Sequence, residues 1–268
     1  MVLPLGDLHK TQIVPVVTYA LIAINVLVFL VQQQKGDEFT LAFAATPYEI
    51  THNEDLDQPI VQMVPVLVRD PFGRGVRLEQ RPKARPQVPC PIPVRWTLLT
   101  SMFLHGSWMH LLGNMLYLWI VGDNVEEVLG SFRFLIVYFA CGLVGSLAQV
   151  AVDPNSITPT LGASGAIAGI MGAYVVWFPH HQIRVLLFRF ITVLPAVIVI
   201  GGWIALQIWL GAGTIGRGNG QGGVAYLAHV GGAITGIVAA LLFYADARYI
   251  KERDAAAEGW SVYEGPDY

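Results

Sequence analysis

Residues 153–184 of the chain read DPNSITPTLGASGAIAGIMGAYVVWFPHHQIR. The first part is polar and rich in helix breakers, so a helix can begin only near Gly162, and Pro179 ends it. About 16 residues lie between these limits, which gives a helix of roughly 24 Å at about 1.5 Å per residue. The hydrocarbon core of a bilayer is about 30 Å thick. We therefore predict a membrane helix that is too short, with its outer end below the membrane surface.

The composition of the whole chain supports a membrane location. Of its 268 residues, 54% are hydrophobic and 13% are charged, whereas soluble domains carry about 25% charged residues. The net charge of -3 gives no indication of nucleic-acid binding. The two cysteines, Cys90 and Cys141, lie in a polar and an apolar stretch, so a disulfide framework is not expected.

Apolar stretches long enough for membrane helices recur along the chain. They lie at about residues 13–31, 96–121, 132–152, 162–178, 185–210 and 224–244. We expect an all-α membrane protein, a six-transmembrane-helix bundle with a short, sunken fourth helix. The first stretch lacks a small-x-small cleavage site, which favours an uncleaved helix over a signal peptide.

The distribution of Lys and Arg predicts the orientation in the membrane. With six spans both termini share one side, and the short loops on that side are the more basic. We expect residues 1–10 to be a cytoplasmic N-terminus and residues 246–268 to be a cytoplasmic tail that is disordered in part. Residues 11–245 would form the membrane domain. It includes a long extracytoplasmic first loop at 33–95, which we expect to be extended because it is rich in proline. A small extracytoplasmic subdomain is the alternative.

Ser164 lies at the sunken end of the predicted fourth helix. Irregular backbone at that depth is tolerated where it lines water, so we predict a cavity that opens outward, with Ser164 at its floor. The unpaired N–H groups and positive partial charge of a helix N-terminus can stabilise an oxyanion. This environment favours a nucleophile, although a serine can also cap a helix or pack as a small residue.

Further polar residues lie at the same predicted depth. His110 and Asn114 share one face of the second span, because they are four residues apart. His229 lies about one turn into the sixth span. A serine hydroxyl needs a base to take its proton, and histidine is the usual base. Each residue alone could instead make an interhelical hydrogen bond, but their convergence at one depth favours a catalytic site.

Small residues spaced four apart occur on both helices that carry the candidate nucleophile and base. They are Gly165 and Gly169 on the fourth span, and Gly232 and Gly236 on the sixth. Such spacing lets membrane helices approach closely. We expect this approach to bring the Ser164 hydroxyl within reach of His229.

These residues together resemble the rhomboid family of intramembrane serine proteases. Residues 162–165, GASG, resemble the GxSG nucleophile motif, and residues 105–114, HGSWMHLLGN, resemble the HxxxxHxxxN segment of the second helix. Residues 122–126, GDNVE, resemble the GxxxE turn after that helix. His229, followed by two glycines, resembles the base of the last core helix. The resemblance spans about residues 95–245.

The resemblance implies an activity and a set of roles. Ser164 and His229 would form a catalytic dyad without an acid, in a six-helix core whose cavity opens to the extracytoplasmic side. The oxyanion hole would consist of the main-chain N–H of Ser164 and the side chains of His110 and Asn114. The motif residues Gly162, Gly165 and His105 would support this site. No metal or cofactor is expected, and the partners would be transmembrane protein substrates and the lipid bilayer.

Two features depart from the family pattern. The family often carries Trp-Arg in the first loop, whereas Arg95 precedes Trp96 here. Some members carry an aromatic residue four positions after the serine, packed on the catalytic histidine, and this position is Ala168. Another residue must then orient His229, and the aromatic candidates are Trp203 and Tyr226.

Residues 211–223 contain seven glycines and join the fifth and sixth spans. Such a loop has high backbone freedom. One interpretation is a cap over the cavity, with the fifth span moving to admit a substrate helix. The other interpretation is a plain connector.

Alternative functions fit the sequence less well. An α/β-hydrolase elbow would read GxSxG, but residue 166 is Ala. A zinc protease would carry HExxH, which does not occur in the sequence. A transporter would more often show an internal repeat. A non-catalytic rhomboid-like protein that binds membrane clients is the main alternative, although such proteins typically lack the serine or the histidine.

Overall fold

The computed structural model describes residues 2–9, 11–69, 75–85, 87–213 and 224–261, and these are mostly helical. The helices are α1 (Val16–Lys35), α2 (Asp37–Phe43), α3 (Pro47–His52), α4 (Thr97–Thr100), α5 (Trp108–Val152), α6 (Ser164–Trp177), α7 (Gly202–Ala212), α8 (Tyr226–Leu242) and α9 (Tyr244–Ser261). The strands are β1 (Val2–Asp7), β2 (Ile60–Arg69), β3 (Val76–Arg85), β4 (Gln182–Leu187) and β5 (Phe190–Pro195).

Helix α6 is the centre of the fold. It is only 14 residues long, and the ten residues from Gly165 to Tyr174 are all buried. It packs between α5 and α8. Helices with this much buried apolar surface occur in the middle of a bundle, because no face is left for solvent or lipid.

Close contact between α6 and α8 depends on glycine. A Cβ atom at Gly232 would overlap the carbonyl oxygen of Gly165, and one at Gly236 would overlap that of Gly169. At Gly172 the added atom would lie 2.6 Å from the carbonyl oxygen of Ala233. The two backbones therefore touch without intervening side chains, as small residues at regular spacing predict.

Helix α5 changes direction at Gly130, whose φ of 70° and ψ of 155° interrupt an apolar run of 45 residues. The turn predicted at residues 122–126 is instead helical, because the break comes later at this glycine. The buried carboxylate of Glu126 accepts hydrogen bonds from the backbone N–H groups of Val17 and Thr18 and from the Thr18 hydroxyl. Glu126 thus holds the N-terminus of α1, where a negative charge is favourable.

Several helices have the length and exposure of membrane segments. Among the described residues, α1 and α5 are long and apolar enough to cross a membrane, and α8 with the start of α9 could form one bent span. Helix α6 and residues 197–212 are shorter apolar helices. Large apolar side chains point outward, among them Phe132, Trp209 and Leu242. Lipid-facing surfaces have this composition.

The predicted fifth span at residues 185–210 is wrong in its first half. Strands β4 and β5 pair antiparallel over residues 182–195, and Phe188 adopts a left-handed φ of 56° between them. Strand β1 pairs with β4 and completes a three-stranded sheet. Helical structure resumes only with a π-helical turn at Val197–Gly201. A short apolar run can form either a strand or a helix. Here β1, from the N-terminus, supplies the hydrogen-bonding partner that favours the strand.

Two polar regions also contain more regular structure than predicted. The first loop contains α2 and α3, and β2 and β3 pair from Ile60 with Arg85 to Arg69 with Val76. The tail is helical as far as Ser261. The second span begins at Trp108, because residues 94–103 form short helical turns first. The glycine-rich segment predicted as a cap lies mostly outside the described residues.

Candidate active site

Ser164 is the first residue of α6, as the position of the helix breakers predicts. The preceding chain is held by Gly162, whose φ of +124° is a conformation that other residues rarely adopt. The Gly162 N–H donates to the carbonyl oxygen of Ser101 at 2.8 Å. The first N–H groups of α6 have no acceptor within the helix, so they are free to bind another group at this end of α6.

His229 contacts the serine from a different helix. Its Nε2 lies 2.8 Å from the Oγ of Ser164. His229 occupies the first turn of α8, and only 7% of its surface is exposed. The glycine contacts between α6 and α8 bring the two helix starts together, so the packing of the backbones sets this distance.

The other side of the imidazole contacts α7. The Nδ1 of His229 lies 2.8 Å from the Oε1 of Gln207. The ring of Trp203 lies 5.3 Å from the His229 ring, centroid to centroid. Tyr226, the second aromatic candidate, is the first residue of α8. One helix thus supplies both a hydrogen-bond acceptor and an aromatic neighbour to the histidine.

His110 lies beside the turn that leads to the serine. A Cβ atom at Gly162 would be 2.9 Å from His110 Nε2 and 3.6 Å from Ser164 Oγ. Ser107 caps α5 by accepting a hydrogen bond from the His110 N–H at 3.1 Å. The absence of a side chain at Gly162 therefore leaves room for the imidazole next to the Ser164 hydroxyl.

Asn114 and His105 form a separate hydrogen-bonded pair. Asn114 Nδ2 lies 2.9 Å from the ring Nε2 of His105. The His105 backbone N–H donates to Gln32 Oε1 at 2.9 Å, and its ring meets that of His110 edge to face at 5.0 Å. His105 thus links α1 to the residues of α5. The structure groups His110 with Ser164 and His229, and it attaches Asn114 to His105.

A small cavity lies against the serine. Its volume is about 20 Å³, which is enough for a water molecule. Ser101, Ser146, Thr160 and Ser164 line it, together with Leu161 and several glycine and alanine residues. The polar residues among them offer hydrogen-bond partners that a water molecule needs.

Comparison with known protein families shows where this chain belongs. A family model described as the Rhomboid domain matches residues 94–246, more than half of the chain. The chain belongs to the rhomboid family. This rhomboid is a membrane protein, since its family membership and its apolar helices agree, and its relatives include proteases.

Individual relatives match parts of this rhomboid. The Rhomboid protease GluP of Bacillus subtilis is 49% identical over 78 residues, which cover 29% of this chain and 15% of that protein. The mitochondrial Rhomboid protein 1 of Saccharomyces cerevisiae is 32% identical over 150 residues, 53% of this chain and 40% of that protein. RHOMBOID-like protein 5 of Arabidopsis thaliana is 38% identical over 79 residues, 30% of this chain and 26% of that protein. The chain thus spans less than half the length of each of these relatives.

Gln207 contacts His229 in this rhomboid, although no sequence motif named above includes it. A signal was present, since residues 197–210 read VIVIGGWIALQIWL and the glutamine is the one strongly polar side chain among them. Polar residues inside membrane helices are functional candidates by default.

Among the described residues, no group of three or more His, Cys, Asp or Glu side chains is arranged to hold a metal ion.

Proposed function

We propose that this rhomboid is an intramembrane serine endopeptidase that cleaves transmembrane proteins by means of Ser164 and His229. The observation that carries the proposal is the distance of 2.8 Å between His229 Nε2 and Ser164 Oγ. A nucleophile and a base from separate helices within hydrogen-bond reach are the signature of an activated serine. The small cavity beside them has space for the hydrolytic water.

The reaction would follow the usual course of serine acyl transfer. His229 Nε2 takes the proton of Ser164 as Oγ attacks the peptide carbonyl, and a tetrahedral oxyanion forms. The imidazolium then donates that proton to the leaving amine, which leaves an ester on Ser164. Water, deprotonated by the same histidine, hydrolyses the ester and restores the free hydroxyl.

The oxyanion would be stabilised by groups around Gly162. The main-chain N–H of Ser164 is one donor, because it lies in the first turn of α6. The His110 side chain lies close to the same point. Asn114 can contribute as well, because its amide carries two hydrogens and the contact with His105 uses only one. Loss of one such donor typically reduces kcat by about 100- to 1000-fold.

The site would lie below the extracytoplasmic surface. Helix α6 has 14 residues and so measures about 21 Å, which is shorter than a hydrocarbon core of about 30 Å. Together with α1, the two halves of α5, α7 and α8, it would make six spans, with both termini cytoplasmic and the loop at 33–95 outside. The basic residues of the short loops support this orientation.

Substrates would be transmembrane helices that unwind near the outer boundary. A membrane helix keeps its carbonyl groups in internal hydrogen bonds, so they are shielded from attack. We expect a preference for segments with glycine or another helix breaker near the cleaved bond. A substrate in which leucine replaces these glycines should be cleaved more slowly, and equal cleavage would contradict this preference.

The decisive experiment is cleavage of a single-span model substrate in proteoliposomes by the wild type and by Ser164→Ala. We expect cleavage by the wild type and none by the variant, and a fluorophosphonate should label only the wild type. Thr235→Val is the matched control, because this hydroxyl lies farther along α8 and bonds to its own helix at Gly231. Wild-type protein that retains the substrate uncut and resists labelling would instead indicate a non-catalytic rhomboid-like protein.

A further inference from the structure

Gln207 is a buried amide on a helix that is otherwise apolar. Its exposed fraction is 6%, and the flanking Leu206 and Ile208 are about half exposed on the outer faces of α7. An amide withdrawn from water and lipid must find a hydrogen-bond partner. The partner of its Oε1 is the Nδ1 of His229, at 2.8 Å.

We propose that Gln207 is a positioning residue that holds His229 in the tautomer able to act as a base. This inference rests on the proposed protease function and adds a third member to the pair. A carbonyl oxygen can only accept a hydrogen bond, so Oε1 requires the proton to be on Nδ1. The lone pair then lies on Nε2, which faces the hydroxyl of Ser164.

The contact also acts during the reaction. When His229 accepts the serine proton, its Nδ1–H becomes part of a cation, and a hydrogen bond from a charged donor is stronger than a neutral one. Oε1 is already in place, so no group has to reorient as the charge develops. A neutral amide adds no charge of its own to the apolar interior, where a carboxylate would be costly to bury.

Trp203 complements Gln207 from the same helix. The two residues are four positions apart, so they share one face of α7. Gln207 contacts the edge of the imidazole, and Trp203 packs against the ring at 5.3 Å. Ala168, at the position where some family members carry an aromatic residue, is buried and offers only a methyl group. The orientation of the base therefore depends on α7 being packed against α8.

The test compares Gln207→Leu, Gln207→Glu and the wild type in proteoliposomes. Gln207→Leu removes the acceptor at similar volume, and we expect kcat to fall about tenfold to a hundredfold, less than the full contribution of a general base. KM should stay within about twofold, because a change confined to the base would lower kcat and leave substrate binding unchanged. Gln149→Leu is the matched control, since Gln149 on α5 is equally buried at 6% and lies outside the dyad.

Gln207→Glu restores an acceptor and should recover much of the lost rate. A carboxylate beside Nδ1 favours the protonated imidazole, so the acidic limb of the pH–rate profile should move to higher pH. The titratable neighbours of His229 are Ser164 on α6 and His110 on α5, and Gln207 and Trp203 on α7 are neutral. A merely structural glutamine would give neither the rescue nor the displaced limb.

A readout that needs no turnover separates this inference from the protease proposal. ¹⁵N NMR of labelled histidine should show the Nδ1–H form of His229 in the wild type and a mixture of tautomers in Gln207→Leu. If the wild type cleaves nothing, the protease proposal fails, and the NMR result still decides the role of Gln207. An unchanged tautomer, or an unchanged kcat in an active Gln207→Leu protein, would overturn the inference.

Discussion

Helices α6 and α7 both pack on α8 and contact His229, and they do so in opposite ways. Helix α6 meets α8 through glycines, so carbonyl oxygens and Cα atoms form the contact. Helix α7 meets the histidine through an amide and an indole, and only Gln207 and Gly211 of its residues are fully buried. The first interface has no room for an added methyl group, while the second consists of side chains that can be exchanged one at a time.

This difference assigns different tasks to the two interfaces. The contact between α6 and α8 sets the distance from Ser164 to His229, because backbones in contact cannot shift without overlap. The contact with α7 sets only the orientation of the imidazole. Substitutions at the first interface should therefore affect folding and activity together. Substitutions at the second should affect activity and leave stability nearly unchanged.

The largest effect is expected from Gly236→Ala. The added Cβ would overlap the Gly169 carbonyl oxygen, and forcing extra volume into packed helices costs about 1–3 kcal/mol or more. We expect a lower thermal midpoint and loss of both cleavage and fluorophosphonate labelling. Gly202→Ala on α7 is the control, because nothing lies within 4 Å of an added Cβ there. Equal stability of the two variants would break the comparison.

The next effect, which is expected on stability and not on activity, comes from Glu126→Gln. The interface between α1 and α5 depends on side-chain contacts, as that of α7 does, but Glu126 is a buried charge that accepts several hydrogen bonds. Hydrogen bonds to charged groups contribute about 1.5–3 kcal/mol. The thermal midpoint should fall while kcat per folded molecule stays close to that of the wild type. A normal midpoint would show that α1 is held by apolar packing alone.

Trp203→Leu should change the rate without changing the fold. Aromatic pairs contribute about 0.5–1.5 kcal/mol beyond area burial, so we expect kcat to fall roughly twofold to tenfold. Trp209→Leu on the same helix is the control, since that ring is 78% exposed. Both variants should be assayed in the same vesicles. A lower rate for Trp203→Leu alone would show that the orientation of the His229 ring matters separately from its distance to Ser164. A drop in thermal midpoint for Trp203→Leu alone would assign the indole to packing.

The smallest effect is expected on the pH dependence of stability. It comes from Asp7, which contacts Tyr174 near the C-terminal end of α6. Burial by itself would raise the pKa of Asp7, but hydrogen bonds from His181, the His9 backbone and Tyr174 outweigh it and keep the pKa below its ordinary value. The ionised carboxylate therefore stabilises the fold above about pH 4, and this contribution is lost as the pH falls through the lowered value. The wild type should be more stable than Asp7→Asn at pH 7, and the difference should close on acidification. A difference that is constant with pH would contradict this assignment.

Local signals in the sequence determined much of this protein. Apolar runs, prolines and glycines located α1, α6 and α8 to within a few residues, because each signal acts through the backbone of its own segment. The motif residues also indicated Ser164 and His229 as candidate nucleophile and base, and the structure places their side chains 2.8 Å apart. The close packing of α6 and α8 was predicted as well, since glycines at regular spacing permit one kind of contact.

Only the tertiary structure decided the rest. Residues 182–195 form strands because β1 supplies a partner from the other end of the chain. Gln207 acquires its role from a ring 22 positions away. Both depend on hydrogen bonds between groups that are distant in sequence, and their free energy exists only once the chain has brought those groups together. A local pattern can show that a polar group needs a partner, but the fold chooses which one it finds.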